Sequence, residues 1–405
     1  ARTALRLCEF GDKNDINVLY ELYAETIHHH IIPNLFGMLN YYTIPTKSME
    51  LSICIRTITG PPVPIVSASF FTNIPNIISQ FNIPSIAKQY NITSNEMNKL
   101  VKINESYGTL TEIVSPRFIA DRSKIGKITN AFFTRIEVLS TTNLLYPIQS
   151  GTTNNNIIYI GDDFKTFTGV ITYMIPRRTT TVEHITPLQL RTYGGIEEIV
   201  LQKPKKNTAL IYIDVCAPEI VYSHTYTIFL LKVLALILSL QSKGGTAIIK
   251  TNMIVFKPVL DILYLLSGKY EHMHIIRPFV SENADSRFVI FNGLLTPTHS
   301  DAIYNLITNT NNISTGAPNQ IISSVTDSKI SQYFMSKIEE CNLLIGQKYV
   351  EKHDSLVILI KNYSNDHRGE HAKSVSNSRC LNWCEKYGIP TQPTQCKENT
   401  SRSDA

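Results

Sequence analysis

From about residue 115 onward, short apolar runs of strand length alternate with longer apolar runs of helical period. Lys127–Leu139 carries apolar positions at Ile128, Ala131, Phe132 and Val138–Leu139, with the Arg135 stem beside them, and this spacing predicts an amphipathic helix. Asn155–Ile160 then reads as a short buried strand running into Gly161-Asp162-Asp163, and Thr168–Met174 as the helix after it. Thr208–Asp214 predicts a second strand, and His224–Leu240 a long apolar helix closed by Ser242-Lys243-Gly244-Gly245. Thr246–Lys250 predicts a further strand, Val259–Leu266 a helix, and residues 273–277 and 287–292 the last two strands. Strand and helix alternating at this rhythm predict an α/β sheet covered by helices on both faces.

The flanks carry weaker patterns. Thr59-Gly60-Pro61-Pro62-Val63-Pro64 breaks any regular element, and Phe70–Phe81 suggests short elements in an α+β accessory region. Beyond residue 296 the chain is rich in Thr, Asn and Ser, as in Thr308–Gly316. Residues 327–345 read as helix, Ser355–Lys361 as a strand or buried helix, and Asn362–Ala405 as a polar, mobile tail. The expected division is an accessory region at 1–114, a core domain at 115–296 and a C-terminal appendage at 297–405.

Composition narrows the class. The chain has 405 residues, 43% hydrophobic and 18% charged, too apolar for general disorder. Its formal charge of +5 permits an anionic partner without demanding one. Seven cysteines, odd in number and thinly spread, argue against a disulfide framework. Cys380, Cys384 and Cys396 with His367 and His371 are too irregularly spaced for a zinc site, so no metal is expected. His28, His29 and His30 are adjacent and cannot easily face one ion. Ile228–Leu240 is too short for a membrane span and contains Lys232, so no membrane is expected either.

The polar residues of interest fall at strand ends. Asp214 closes one strand, Lys250 the next, and Glu282 follows Arg277-Pro278 beyond that. In a parallel sheet such ends converge on one cleft. A lysine held by carboxylates has its pKa raised, so use as a base requires further positive charge or desolvation to bring it down. Two lysines and two acids in alternation therefore suit proton removal from a sugar hydroxyl before methyl transfer.

The segments Ile213-Asp214-Val215-Cys216-Ala217-Pro218, Gly244-Gly245-Thr246-Ala247-Ile248-Ile249-Lys250, Ile276-Arg277-Pro278 and Ser286-Arg287-Phe288-Val289-Ile290 occur in this order. Together they make Thr208–Asn292 resemble the C-terminal half of the FtsJ-like RNA ribose 2'-O-methyltransferases. The viral cap methyltransferases of poxviruses, nidoviruses and non-segmented negative-strand RNA virus polymerases are the nearest in kind. The resemblance implies a Rossmann-like S-adenosylmethionine-dependent core at 115–296 and a Lys-Asp-Lys-Glu catalytic set. Asp214 and Lys250 carry over, Lys250 as the base. For the first lysine the expectation is Lys124, with Lys127 beside it and Arg135 the match in polymerase-type relatives. For the acid it is Glu282, with Asp285 or Ser286 as alternatives.

The same resemblance places cofactor contacts in the loop Gly161–Gly169, at Gly161, Asp162, Asp163 and Gly169, with Phe164 as an obstacle or a wall and Glu183 at the cofactor ribose. Asp162 or Asp163 would meet the methionine ammonium. Arg117, Arg122, Lys124, Lys127, Arg177-Arg178, Lys203, Lys205 and Lys206 are candidate phosphate contacts, and Tyr173 or Tyr193 candidate stacking partners for a base. The implied activity is methyl transfer to a ribose 2'-hydroxyl at the capped 5' end of viral mRNA, with guanine N7 methylation also open. The setting would be host cytoplasm or virion, inside a larger polymerase or polyprotein complex. The alternative is a decayed methyltransferase-like structural or RNA-binding subunit.

Overall fold

The computed structural model describes residues 41–392 apart from 45, 49–51, 61–63, 67–75, 78, 106, 124–126, 142–144, 146–155, 177–179, 193, 203–207, 216–222, 252–253, 282–286, 296–299, 315–319 and 364–365. The chain divides into Ala1–Tyr42, of which only Tyr41 and Tyr42 are described, and Thr43–Ala405. The histidine triplet at 28–30 and Lys124, Glu282, Asp285, Ser286, Arg177, Arg178, Tyr193, Lys203, Lys205 and Lys206 lie outside the described residues.

The core is a seven-stranded mixed sheet. Its strands are β1 (Tyr41–Ile44), β3 (Asn156–Ile160), β4 (Thr181–Ile185), β5 (Thr208–Ile213), β6 (Gln241–Thr251), β7 (Tyr270–Ile276) and β8 (Arg287–Leu294), in the spatial order β1-β7-β8-β6-β5-β3-β4. β4, β3, β5 and β6 are mutually parallel. β8 runs antiparallel between β6 and β7. The sheet is therefore mixed, within the α/β class that the sequence pattern predicts. All six residues of β5 and the last four of β3 are buried, and since successive side chains point to opposite faces, both faces are covered.

Helices fill the crossovers: α5 (Asn130–Ser140) before β3, α6 (Phe164–Met174) between β3 and β4, α9 (His224–Leu240) between β5 and β6, and α10 (Lys257–Ser267) between β6 and β7. Between β4 and β5 lie the short α7 (Pro187–Arg191) and α8 (Gly195–Gln202). From Tyr226 to Leu240 every residue of α9 but Ile228 is buried, Lys232 included, which donates to Thr192 O at 3.1 Å. That burial explains a run apolar on every side without a bilayer. Among the described residues no helix is long and apolar enough to cross a membrane.

The flanks are more ordered than their composition implies. In the accessory region lie α1 (Ile83–Gln89), α2 (Ser94–Asn104) and α3 (Leu110–Ile113), with α4 (Pro116–Ser123) just past its expected boundary; after the core come α11 (Ser300–Ser314), α12 (Gln332–Lys361) and α13 (Asp366–Lys386). Of strand or buried helix for Ser355–Lys361, helix is found: these residues are the last two turns of the 30-residue α12, with Leu356, Val357 and Ile360 buried. One expectation fails here, since the supposed mobile tail forms the 21-residue α13. Cys380, Cys384 and Trp383 anchor α13 in the interior, so its sparse apolar residues fall on one buried stripe. Accessory region and appendage also pack together. β2 (Arg56–Thr59) pairs with β9 (Gln320–Ser324), and Leu100 of α2 meets Leu356 and Ile360 of α12.

Candidate active site

Register puts three polar strand ends on one line. Ile160 of β3 pairs with Ile213 of β5, which pairs with Ile249 of β6, so Gly161, Asp214 and Lys250 follow side by side at the carboxyl edge. The backbone continues this pairing, with Asp214 N donating to Ile160 O at 2.8 Å. Open α/β sheets gather ligand-binding groups at this edge.

Asp214 is the hub. Its Oδ1 lies 2.9 Å from Lys250 Nζ. Its Oδ2 accepts from Arg135 Nη2 at 2.6 Å and Nε at 3.0 Å. Arg135 reaches further: Nη1 donates to Asp163 Oδ2 at 3.0 Å, and Nη2 to the Tyr159 hydroxyl at 3.2 Å. The four charges alternate as Asp163, Arg135, Asp214, Lys250. Burial disfavours the Asp214 carboxylate, but Arg135 and Lys250 together hold its pKa below the ordinary value. Burial equally works against the Arg135 charge and is outweighed by Asp214, so its pKa is raised. Burial, with Asp214 adding, raises the Tyr159 phenol, which stays a neutral acceptor. Lys250 is the open end, about a quarter exposed and 6.0 Å from the Phe288 ring centroid.

Arg135 thus occupies the place beside Asp214 where Lys124 was expected. Helix α5 brings it there because Phe132, Phe133, Ile136, Val138 and Leu139 bury the helix on every side, carrying the arginine inward.

The loop after β3 differs from its expected form. Only Gly161, Asp162 and Asp163 precede α6, so Gly169 lies inside the helix, buried, and not in a cofactor loop. The shortening follows from the segment after Asp163, whose Phe167, Val170 and Ile171 give α6 a buried stripe. Gly161 is needed where it stands: an added Cβ would lie 2.5 Å from the Tyr159 hydroxyl and 3.2 Å from Asp214 Cβ. Asp163 is the N-cap residue of α6 but makes no side-chain cap, its carboxylate being turned to Arg135. Asp162 is exposed.

Phe164 does not stand alone over the strand end. It stacks on His184, rings 4.6 Å apart and 3° from parallel. His184 Nε2 lies 2.7 Å from Gly161 O. Pairing sets Tyr159 against His184 and Ile158 against Glu183, so strand alternation sends Glu183 to the face opposite His184. Half-buried there, Glu183 stands two residues short of the end of β4.

Glu137, also on α5, escaped notice in the sequence. Fully buried, it accepts from Phe279 N at 2.8 Å, Val280 N at 3.3 Å and Trp383 Nε1 at 3.3 Å, tying α5 to the segment after β7 and to α13. Burial pushes its pKa up to about 7. Arg135-Ile136-Glu137 shows two charges inside an apolar helix, and buried charges must be paired; the partners are not legible there.

Of the other candidates, Arg122 lies 5.2 Å from the Tyr173 ring and 5.8 Å from the Phe118 ring, while Arg117 and Lys127 are exposed. Tyr173 donates to Gly388 O at 3.1 Å. Cys380 and Cys384 are buried thiols, raised by burial, and among the described residues no cluster of three metal-ligating side chains exists.

Fold and site define a mixed α/β protein with an alternating charge cluster at the carboxyl edge of its sheet. Comparison with protein-family models finds no match for the chain, and comparison with curated proteins finds none either.

Proposed function

We propose that the chain transfers a methyl group from S-adenosylmethionine to a ribose 2'-hydroxyl at the capped 5' end of RNA. The observation that carries this reading is Asp214 clamped between Arg135 and Lys250 at the carboxyl edge of β5 and β6. The sheet supports it: parallel strands in the order β4-β3-β5-β6, followed by a reversed β8 inserted before β7, match the plan of Rossmann-like methyltransferases.

The residues present suit the cofactor. Gly161 leaves the end of β3 bare of side chain, and two carboxylates follow it, as a ligand carrying an ammonium requires. Bound S-adenosylmethionine supplies the methyl group, with Asp162 and the solvent side of Asp163 matching its positive charge. Lys250 in its amine form takes the proton from the 2'-hydroxyl. Asp214 fixes Nζ in place through Oδ1. A carboxylate shared between two cations neutralises neither fully, so Arg135 leaves a positive field that favours the amine and steadies the developing oxyanion. Arg135 itself spends its donors on Asp214, Asp163 and Tyr159, and so works from behind Asp214. Glu282 would supply the second acid. Arg117 and Lys127 would contact RNA phosphates, within a larger viral polymerase or polyprotein complex.

A second reading, a methyltransferase-like subunit that binds RNA without catalysis, is favoured by one observation: Asp163 is already bound by an arginine standing where the family pattern has lysine. Calorimetric titration with S-adenosylmethionine separates the two. Saturable one-to-one binding, kept in Lys250→Ala while methyl transfer to capped RNA is lost, is the expected result. Absence of cofactor binding, with or without RNA, favours the second reading, and near-normal transfer by Lys250→Ala removes Lys250 as the base.

A further inference from the structure

The cluster at the sheet edge is a continuous relay of opposite charges that begins in the loop after β3 and ends on Lys250. Asp163 Oδ2 is 3.0 Å from Arg135 Nη1, Arg135 Nη2 is 2.6 Å from Asp214 Oδ2, and Asp214 Oδ1 is 2.9 Å from Lys250 Nζ. The two inner members are nearly sealed, their side chains 3% and 9% exposed, whereas Asp163 is 47% exposed and stands at the entrance. We propose that Asp163 is a positioning residue that sets the proton affinity of Lys250 through Arg135 and Asp214, so that whatever neutralises Asp163 readies Lys250 as a base. The proposal deepens the methyltransferase reading and rests on it for the role of Lys250, but not for the coupling.

The direction follows from the charges. With Asp163 in place, the Arg135 guanidinium is divided between two carboxylates, and Asp214 keeps more of its charge for Lys250. With Asp163 neutral, Arg135 turns wholly to Asp214, which then stabilises the ammonium less. The direct effect has the same sign, because losing a nearby anion also disfavours the ammonium. Geometry adds a reason for the arrangement. Asp163 is the N-cap residue of α6 yet gives its carboxylate to Arg135, forgoing the cap an aspartate there ordinarily makes. His184 holds the same turn from the other side through Gly161 O. A ligand bearing an ammonium at Asp163 would act as neutralisation does, coupling occupancy of the turn to activation of the base.

Among the described residues, the other titratable groups around the network are Tyr159 on β3, Tyr212 on β5, His184 on β4, Tyr226 on α9, whose hydroxyl donates to Lys250 O at 3.3 Å, Arg287 on β8, in register with Thr251, and Asp162 in the turn itself. Asp162 is the carboxylate of this set; it is exposed, and it is the Asp163 carboxylate that Arg135 binds.

The test titrates Lys250 directly in the full chain, by competitive acetylation with trace acetic anhydride across pH and mass spectrometry of the Lys250 peptide. Asp163→Asn should move the labelling midpoint of Lys250 down by about half a unit, the size expected of a half-exposed charge acting at this range. Asp163→Glu should restore it, and exposed, remote Lys88 should not move in either variant. An unchanged or raised midpoint in Asp163→Asn overturns the proposal, as does a Lys88 shift of equal size. Labelling needs no methyl transfer. A chain that shows the shift but never methylates RNA would retire the methyltransferase reading and leave the relay standing.

Discussion

Arg135 is bound to two carboxylates and a phenol at once, which a lysine at the same position cannot reproduce, because its single ammonium lacks the planar fork. Arg135→Ala leaves Asp214 buried with one cation in place of two. Loss of about 3 kcal/mol of stability is expected, measured by urea unfolding at neutral pH. Arg135→Lys should recover only part of it. Glu137 gives a pH signature of its own. Its carboxyl stays protonated up to about 7 in the folded chain, against an ordinary value of 4.5. Between those values the folded state holds a proton that the unfolded chain has released. The contribution is therefore complete below pH 4.5 and lost as pH rises through 7, on the order of 3 kcal/mol in all. Unfolding free energies measured from pH 4.5 to 7.5 should fall with this slope in the wild type and flatten in Glu137→Gln. Both residues were visible in the sequence as charges inside an apolar helix. Their partners lie on or just after β3, β5 and β7 and on α13, between 24 and 246 positions away, which a spacing pattern cannot reveal.

At the scale of elements, hydrophobic period located α9 to the residue and β3, β5, α5 and α10 to within a few positions, because each is apolar enough for burial alone to dictate it. The loop implied by the family resemblance ran through Gly169, a glycine that tight helix packing accepts. Register was also illegible, yet register is what aligns Gly161, Asp214 and Lys250. Gly161→Ala tests that alignment. Its Cβ would drive into the fully buried Tyr159, which Arg135 pins, so a neighbour must shift. Destabilisation by about 1–3 kcal/mol in denaturant melts is expected, together with a fall in any activity that uses Lys250. Wild-type stability in this variant would show that the turn after β3 relaxes freely.

For the whole molecule, the expected partition at 114 and 297 underestimates how the flanks support the core. Trp383 of α13 packs edge-on against Phe133 of α5, at 5.6 Å between centroids, and donates to Glu137. Gln392 N donates to Ile113 O at 2.8 Å, closing accessory region and appendage on each other. The polar texture of 362–405 hid this, since a helix needs only one apolar stripe to dock and here that stripe is Cys380, Trp383 and Cys384. Removing everything after Lys361 should therefore lower the melting temperature of the remainder and expose Glu137, in place of the silent loss expected of a free tail; an unchanged melting curve would refute the docking role of α13. The central claim is that this edge of the sheet moves a methyl group. Its most direct test is transfer of radiolabelled methyl from S-adenosylmethionine to a short capped RNA, beside the same RNA already methylated at its first ribose 2'-hydroxyl. Label entering the first RNA, sparing the second and vanishing with Lys250→Ala is the predicted result. Saturable cofactor binding with no label in either RNA would contradict it.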